Sequence, residues 1–178
     1  MCIRDRIETL SGIKKLKAYT SGGKVNRLRV DMGKAILDPK EIPVVLDGDK
    51  VVDRPVEIAG KNYNITCVSM GNPHCVVFMD DIDNLDIETV GPEFENDKLF
   101  PERVNTEFVT VLDDHTIKMR VWERGSGETW ACGTGACAVA VAACENGFCK
   151  KGEDIKIKLK GGDLIINYTD ETVYMTGN

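Results

Sequence analysis

The chain has 178 residues, enough for one domain with a sizeable core, and its 42% hydrophobic and 29% charged residues are those of an ordinary globular protein. A formal charge of −6 argues against a general nucleic-acid binder, since basic stretches such as Lys14-Lys15-Leu16-Lys17 and Lys150-Lys151 are short and isolated. No apolar stretch approaches the roughly 18 residues of a spanning helix, and the N-terminus lacks a signal peptide's charged-then-apolar layout, so the expectation is a cytoplasmic protein with small-molecule partners, no membrane and no nucleic acid.

The opening Met1-Cys2-Ile3-Arg4-Asp5-Arg6 does not read on into the segment after it and resembles a translated adapter at the start of an assembled gene fragment; Met1 is not taken as a native start. Leu28, Val30 and Met32 alternate with Arg29 and Asp31, the period of a half-buried strand, which Gly33 ends. From Lys34 onward strand-like runs dominate. Val56 to Ala59 and Tyr63 to Ser69 flank Gly60-Lys61-Asn62 as a predicted hairpin, and Cys75 to Met79 reads as a buried strand. A short helix is predicted near Pro92 to Leu99, with Pro92 in its first turn and Pro101 barring continuation. Val109 and Val111, then Ile117, Met119 and Val121, predict a hairpin around Asp113-Asp114-His115, and Gly125 to Thr129 is turn-like. A helix over residues 134–146 comes next, with Gly147 in a left-handed cap, then strands near Ile155 to Leu159, Leu164 to Tyr168 and Val173 to Met175, the first two joined at Gly161-Gly162. One good helix among many strands predicts an α+β domain, a mostly antiparallel sheet wrapped around that helix.

The run from Glu123 to Ala138, E-R-G-S-G-E-T-W-A-C-G-T-G-A-C-A, is the most informative segment. Cys132 lies just ahead of a helix N-terminus, where free amides and the positive end of the dipole favour a thiolate and can hold a substrate carboxylate. Four polar clusters fall at loops beside strands: Ser69 to His74, Arg103 to Asn105, Glu123 to Gly125 and Cys132 to Gly135. A rigid scaffold can bring such loops to one pocket. Asn72 and Asn105 can donate and accept, Arg124 can grip a carboxylate and Glu123 an ammonium, a set that suits a zwitterionic amino acid.

Plainer readings stand beside these. Cys137 and Cys144 on the helix, and Cys67 and Cys75 in strands, read as inert buried thiols. His74 reads equally as a turn residue, His115 as a solvated one, and Glu123 with Arg124 as a surface ion pair. Gly133-Thr134-Gly135-Ala136-Cys137-Ala138 fits the dinucleotide pattern G-x-G-x-x-A, with Glu153 about 20 residues on. The context disagrees, because turn-like residues rather than a buried strand precede the glycines and Glu153 comes before its strand. The seven cysteines, at 2, 67, 75, 132, 137, 144 and 149, make an odd set without a C-x-x-C pair, so neither a metal nor disulfides are expected.

Ser69-Met70-Gly71-Asn72-Pro73-His74-Cys75, Phe100-Pro101-Glu102-Arg103-Val104-Asn105, the run 123–138 and Tyr174-Met175-Thr176-Gly177 resemble, in order and spacing, the diaminopimelate epimerases. Glu8 to Gly12 and Val30 to Gly33 look like the last strands of that family's N-terminal domain. The resemblance implies a cofactor-independent isomerase of lysine biosynthesis, with diaminopimelate as substrate, dimeric in full-length form. It works with two cysteines on opposite faces of the substrate α-carbon. Cys132 matches the second of them; His74 and Glu123 match residues that assist the thiols; Asn72, Asn105, Glu123, Arg124, Gly133 and Thr134 match substrate-holding positions.

The family's first cysteine lies in a C-G-N-G-x-R-C motif that this sequence does not contain, and the residues around Cys2 do not replace it. The expectation is therefore a fragment: residues 1–33 as a remnant of the N-terminal domain, residues 34–178 as the C-terminal domain, carrying half of a two-base site and inactive alone.

Overall fold

A computed structural model describes residues 2–9 and 12–178, so the readings placed on Met1, Leu10 and Ser11 lie outside the described residues. The strands are β1 (Cys2–Thr9), β2 (Gly12–Ser21), β3 (Lys24–Gly33), β4 (Arg54–Ile58), β5 (Lys61–Ser69), β6 (Pro73–Phe78), β7 (Asn105–Asp113), β8 (Thr116–Glu123), β9 (Gly127–Thr129), β10 (Asp154–Leu159), β11 (Gly162–Tyr168) and β12 (Val173–Gly177). Two helices, α1 (Ile87–Glu95) and α2 (Gly133–Glu145), complete the described elements, and neither is long and apolar enough to cross a membrane.

All twelve strands form one sheet, ordered β1-β2-β3-β12-β11-β10-β8-β7-β6-β5-β4, with β9 on β8. The sheet is mostly antiparallel, as expected, but mixed, because β6 pairs parallel with β7 and β8 parallel with β10. Parallel neighbours need a crossover, and α1 and α2 lie in these two connections. Sequence periodicity marks strands but not their partners, so it does not reveal this.

Several boundaries move for local reasons. The 56–69 hairpin turns at Ala59-Gly60, both at positive φ (50° and 78°), a two-residue turn that lets β5 begin at Lys61. α1 starts five residues ahead of Pro92, because Ile87, Val90 and Phe94 form its buried stripe; Pro92 is inside the helix, while Asn96 Nδ2 caps its carbonyl at 2.8 Å. Gly127–Thr129 is a short strand on β8, and β1 and β2 precede the first strand that periodicity marks. α2 and its Gly147 cap (φ 78°) match expectation.

Along β5 to β8 side chains alternate between two cores. Val68, Val76, Val109, Met119 and Val121 face α2, whereas Ile65, Cys75, Val77 and Phe108 join Phe94 of α1. Phe94 meets Tyr63 and Phe108 edge-on, at centroid distances of 4.9 and 5.4 Å. α2 is buried on every face from Gly135 to Ala143 and packs against β5, β6, β7, β10, β11 and β12. Its side chains there are Ala, Val and Cys alone, small enough for strands to approach from all sides.

α1 is held against β8 at Gly91, where a Cβ would overlap the Trp122 indole. Alanine is the better helix former, yet Gly91→Ala is expected to lower unfolding free energy by about 1–3 kcal/mol through overpacking. Urea unfolding measures this; equal or greater stability would show that the ring moves aside freely.

Candidate active site

The strand phase that separates the two cores also builds the site. His74 is in phase with Val76, and Asn105 and Glu107 are in phase with Val109, so all three project toward α2; His74 and Asn105 are register partners across the parallel β6–β7 pair. There they meet the start of α2. Cys132 caps the helix in extended conformation, and its Sγ accepts from the Gly135 N–H at 3.4 Å.

A chain of polar contacts runs from that sulfur. Thr134 Oγ1 lies 3.6 Å from Cys132 Sγ and accepts from Asn72 Nδ2 at 3.3 Å. Asn72 Oδ1 is 3.1 Å from His74 Nε2, and His74 Nδ1 is 2.7 Å from Glu107 Oε1. The sulfur, imidazole and carboxyl atoms of Cys132, His74 and Glu107 lie within 4.8 Å of one another, and all three residues are buried. These are donor types that zinc accepts, although the imidazole and carboxyl already bond each other. A search of Cys and His spacings alone does not find this trio.

A second group is tied to the first through Asn105, whose Nδ2 donates to Pro73 O at 3.1 Å while Oδ1 accepts from the Arg124 N–H at 3.0 Å. Arg124 Nη1 donates to Glu102 O at 2.9 Å, and Glu123 accepts from Thr129 Oγ1 at 2.6 Å, so each of these side chains bonds elsewhere rather than forming an ion pair with the other. Gly133 sits against Met175, whose sulfur would be 3.1 Å from a Cβ there. Among the described residues no protein acceptor takes the Gly133 or Thr134 N–H, whereas the Gly135 and Ala136 amides are used by Cys132.

Two residues of this region escape sequence reading. Glu107 looks like a strand charge, and its only sequence signal is a carboxyl in phase with Val109 and Val111. Glu95 lies in α1, buried, accepting from Arg103 Nη1 (2.9 Å) and the Gly125 N–H (2.8 Å) with Oε1 and from Trp122 Nε1 (2.7 Å) with Oε2. One carboxylate thus fixes the loops that carry Asn105 and Arg124.

The electrostatics correct the expected thiolate. Burial pushes the Cys132 thiol up to about 12, and the charges of Glu107 and Glu123 push the same way, outweighing the hydrogen bonds from Thr134 and Gly135. Cys132 is therefore a thiol at neutral pH. Burial also raises the Glu107 carboxyl, opposed by His74 and reinforced by Glu123. Cys75 and Cys137 are raised by burial too, as inert core thiols should be.

A family profile described as diaminopimelate epimerase matches residues 66–178. The chain belongs to the diaminopimelate epimerase family. The diaminopimelate epimerase of Acetivibrio thermocellus is 52% identical over 174 residues, 97% of this chain and 61% of that protein. The one from Agathobacter rectalis is 51% identical over 180 residues, 96% of this chain and 62% of its own length. The chain thus spans about three fifths of these curated relatives. Among solved structures, a probable proline racemase from Agrobacterium radiobacter superposes with a TM-score of 0.75 over 99% of this chain and 58% of its own, at 15% identity, a likeness of fold.

The raised thiols give a stability test. A thiol whose pKa is higher folded than unfolded keeps its proton in the native state while the unfolded chain releases it, so stability falls as pH climbs from the ordinary 9.0 toward about 12. Cys132 and Cys137 should each contribute a slope of up to about 1.4 kcal/mol per pH unit there. Urea unfolding across that window, with Cys137→Ala for comparison, reads it; an identical slope in the variant would contradict the assignment.

Proposed function

We propose that this chain carries one half of a two-base site that interconverts LL- and meso-2,6-diaminopimelate without a cofactor, and that Cys132 is one of its two proton carriers. The carrying observation is a buried thiol at the N-terminus of α2, its ionisation opposed by burial, next to two amides that have no protein partner among the described residues. The names of the relatives at about half identity supply the substrate.

The α-proton of an amino acid is very weakly acidic, so its removal requires stabilisation of the electron pair left behind. In this reading an opposing thiolate takes that proton. The pair delocalises into the α-carboxylate, which the Gly133 and Thr134 N–H groups face from the helix end, where the dipole favours added negative charge. The Cys132 S–H bond then breaks as a C–H bond forms on the other face, inverting the centre and leaving a thiolate on Cys132. Run in reverse, Cys132 is the base and the opposing thiol the acid.

Asn72 and Asn105 shape the pocket around the substrate, Arg124 meets a carboxylate, and Glu123 meets an ammonium group and, with His74, assists the thiols. We read residues 1–33 as the end of one domain and residues 34–178 as the second, its sheet curling around α2. The opposing thiol belongs to the first of these domains, in an enzyme that is cytoplasmic and dimeric.

Stereoinversion in deuterated water checks the assignment. The full-length enzyme should incorporate solvent deuterium at the α-carbon as it epimerises diaminopimelate, and Cys132→Ala in it should lower kcat by at least about a thousandfold. The 178-residue chain alone should not epimerise. An active Cys132→Ala enzyme would remove Cys132 from the chemistry, and turnover by the isolated chain would contradict the half-site.

A further inference from the structure

Glu107 is the one member of the polar cluster to which neither the family motifs nor the proton-transfer mechanism gives a task. It is fully buried in β7, and its Oε2 has no hydrogen-bond partner among the described residues. Leaving a buried carboxyl oxygen unpaired is destabilising, so a residue kept only to stabilise the fold would be better replaced. Its placement is also closely constrained: a Cβ on Gly135 would lie 2.5 Å from Glu107 Oε1 and 3.2 Å from Cys132 Sγ. The last glycine of Cys132-Gly133-Thr134-Gly135 therefore makes room for the carboxyl and the thiol on one patch of backbone.

The contacts set where protons sit. Asn72 donates through Nδ2 to Thr134, so its Oδ1 faces His74 and must accept from Nε2–H. Nδ1 faces Glu107 Oε1 at 2.7 Å, and that contact needs one proton, on nitrogen or on oxygen. Either way His74 and Glu107 together are neutral.

We propose, building on the epimerase reading, that Glu107 is a positioning residue: it locks the His74 ring and forms with it a neutral, proton-sharing pair against which the Cys132 thiol works. The titratable groups packed around it are His74 and Cys75 on β6, Glu123 on β8 and Cys132 ahead of α2. By pairing with the imidazole, Glu107 keeps His74 from presenting a net positive charge to the sulfur, so nothing in the pair draws the thiol proton off before substrate fills the pocket.

The tests separate this role from simple packing. In Glu107→Gln, nearly the same shape without a carboxyl to balance the imidazole, alkylation of Cys132 followed peptide by peptide should reach its midpoint about one pH unit lower or more than in the unchanged chain. In the full-length enzyme the same variant should lower kcat roughly tenfold or more with KM nearly unchanged, and Glu107→Asp should recover part of it. If Glu107→Gln fails to fold, nitrogen NMR of the unchanged protein decides: with only His74 and His115 present, His115→Gln assigns the signals. His74 should then hold its proton on Nε2 across neutral pH. An unmoved alkylation midpoint, or a His74 with Nε2 bare and Nδ1 protonated, would overturn the proposal. Failure of the unchanged full-length enzyme to epimerise would instead sink the epimerase reading and leave the alkylation and NMR results to judge Glu107.

Discussion

The structure depends on a helix that can be buried on every side. From Gly135 to Ala143, α2 carries no side chain larger than valine, and six strands pack on it. A helix that is apolar all round has no solvent face, so it belongs in an interior, and small residues let the sheet come close. The consequence for chemistry is at its end. Because the body of α2 is fixed by packing, the position of Cys132 at its cap is fixed too. The free amides of Gly133 and Thr134 become rigid donors rather than features of a mobile loop.

The second layer does a different job. α1 contributes no residue to the sulfur's surroundings, yet Glu95 gathers three donors from Arg103, Trp122 and Gly125. Charge-assisted bonds to a buried carboxylate are among the stronger polar contacts in a protein, and here they fasten two loops to the same helix. Asn105 extends the linkage, joining the start of β6 to Arg124. The loop that carries Arg124 is therefore held from both sides of the sheet.

Local features were legible in the sequence wherever local chemistry decides them. The Cys132 cap, the Gly147 stop and the 109–121 hairpin follow from residue types and short spacings, and the four polar clusters, read as loops, lie at strand ends and at the start of α2. What stayed hidden depends on distant pairing. The parallel β6–β7 contact places His74 beside Asn105, 31 residues apart in the chain, and periodicity carries no information about that register. Glu107 was hidden for the same reason, since a carboxyl in a strand looks solvated until the strand's neighbours cover it. The expected thiolate at Cys132 failed because the sequence shows the helix end but not the depth of burial or the nearby carboxyls.

That correction bears on how such a site can work. A thiol held near 12 resists ionisation in neutral solution, which would suit the proposed partner that arrives at the reaction carrying a proton. Once that proton is gone, the same environment makes the resulting thiolate a stronger base than one with the ordinary value of 9.0. Removing a proton from carbon needs a base of that kind. In the proposed exchange, burial and like charge would serve both directions: they hold the proton on sulfur at rest and would strengthen the sulfur as a base when the reaction is reversed. In the same proposal the weaker pull of the helix end acts instead on the substrate, whose carboxylate would gain charge as the α-carbon loses its proton.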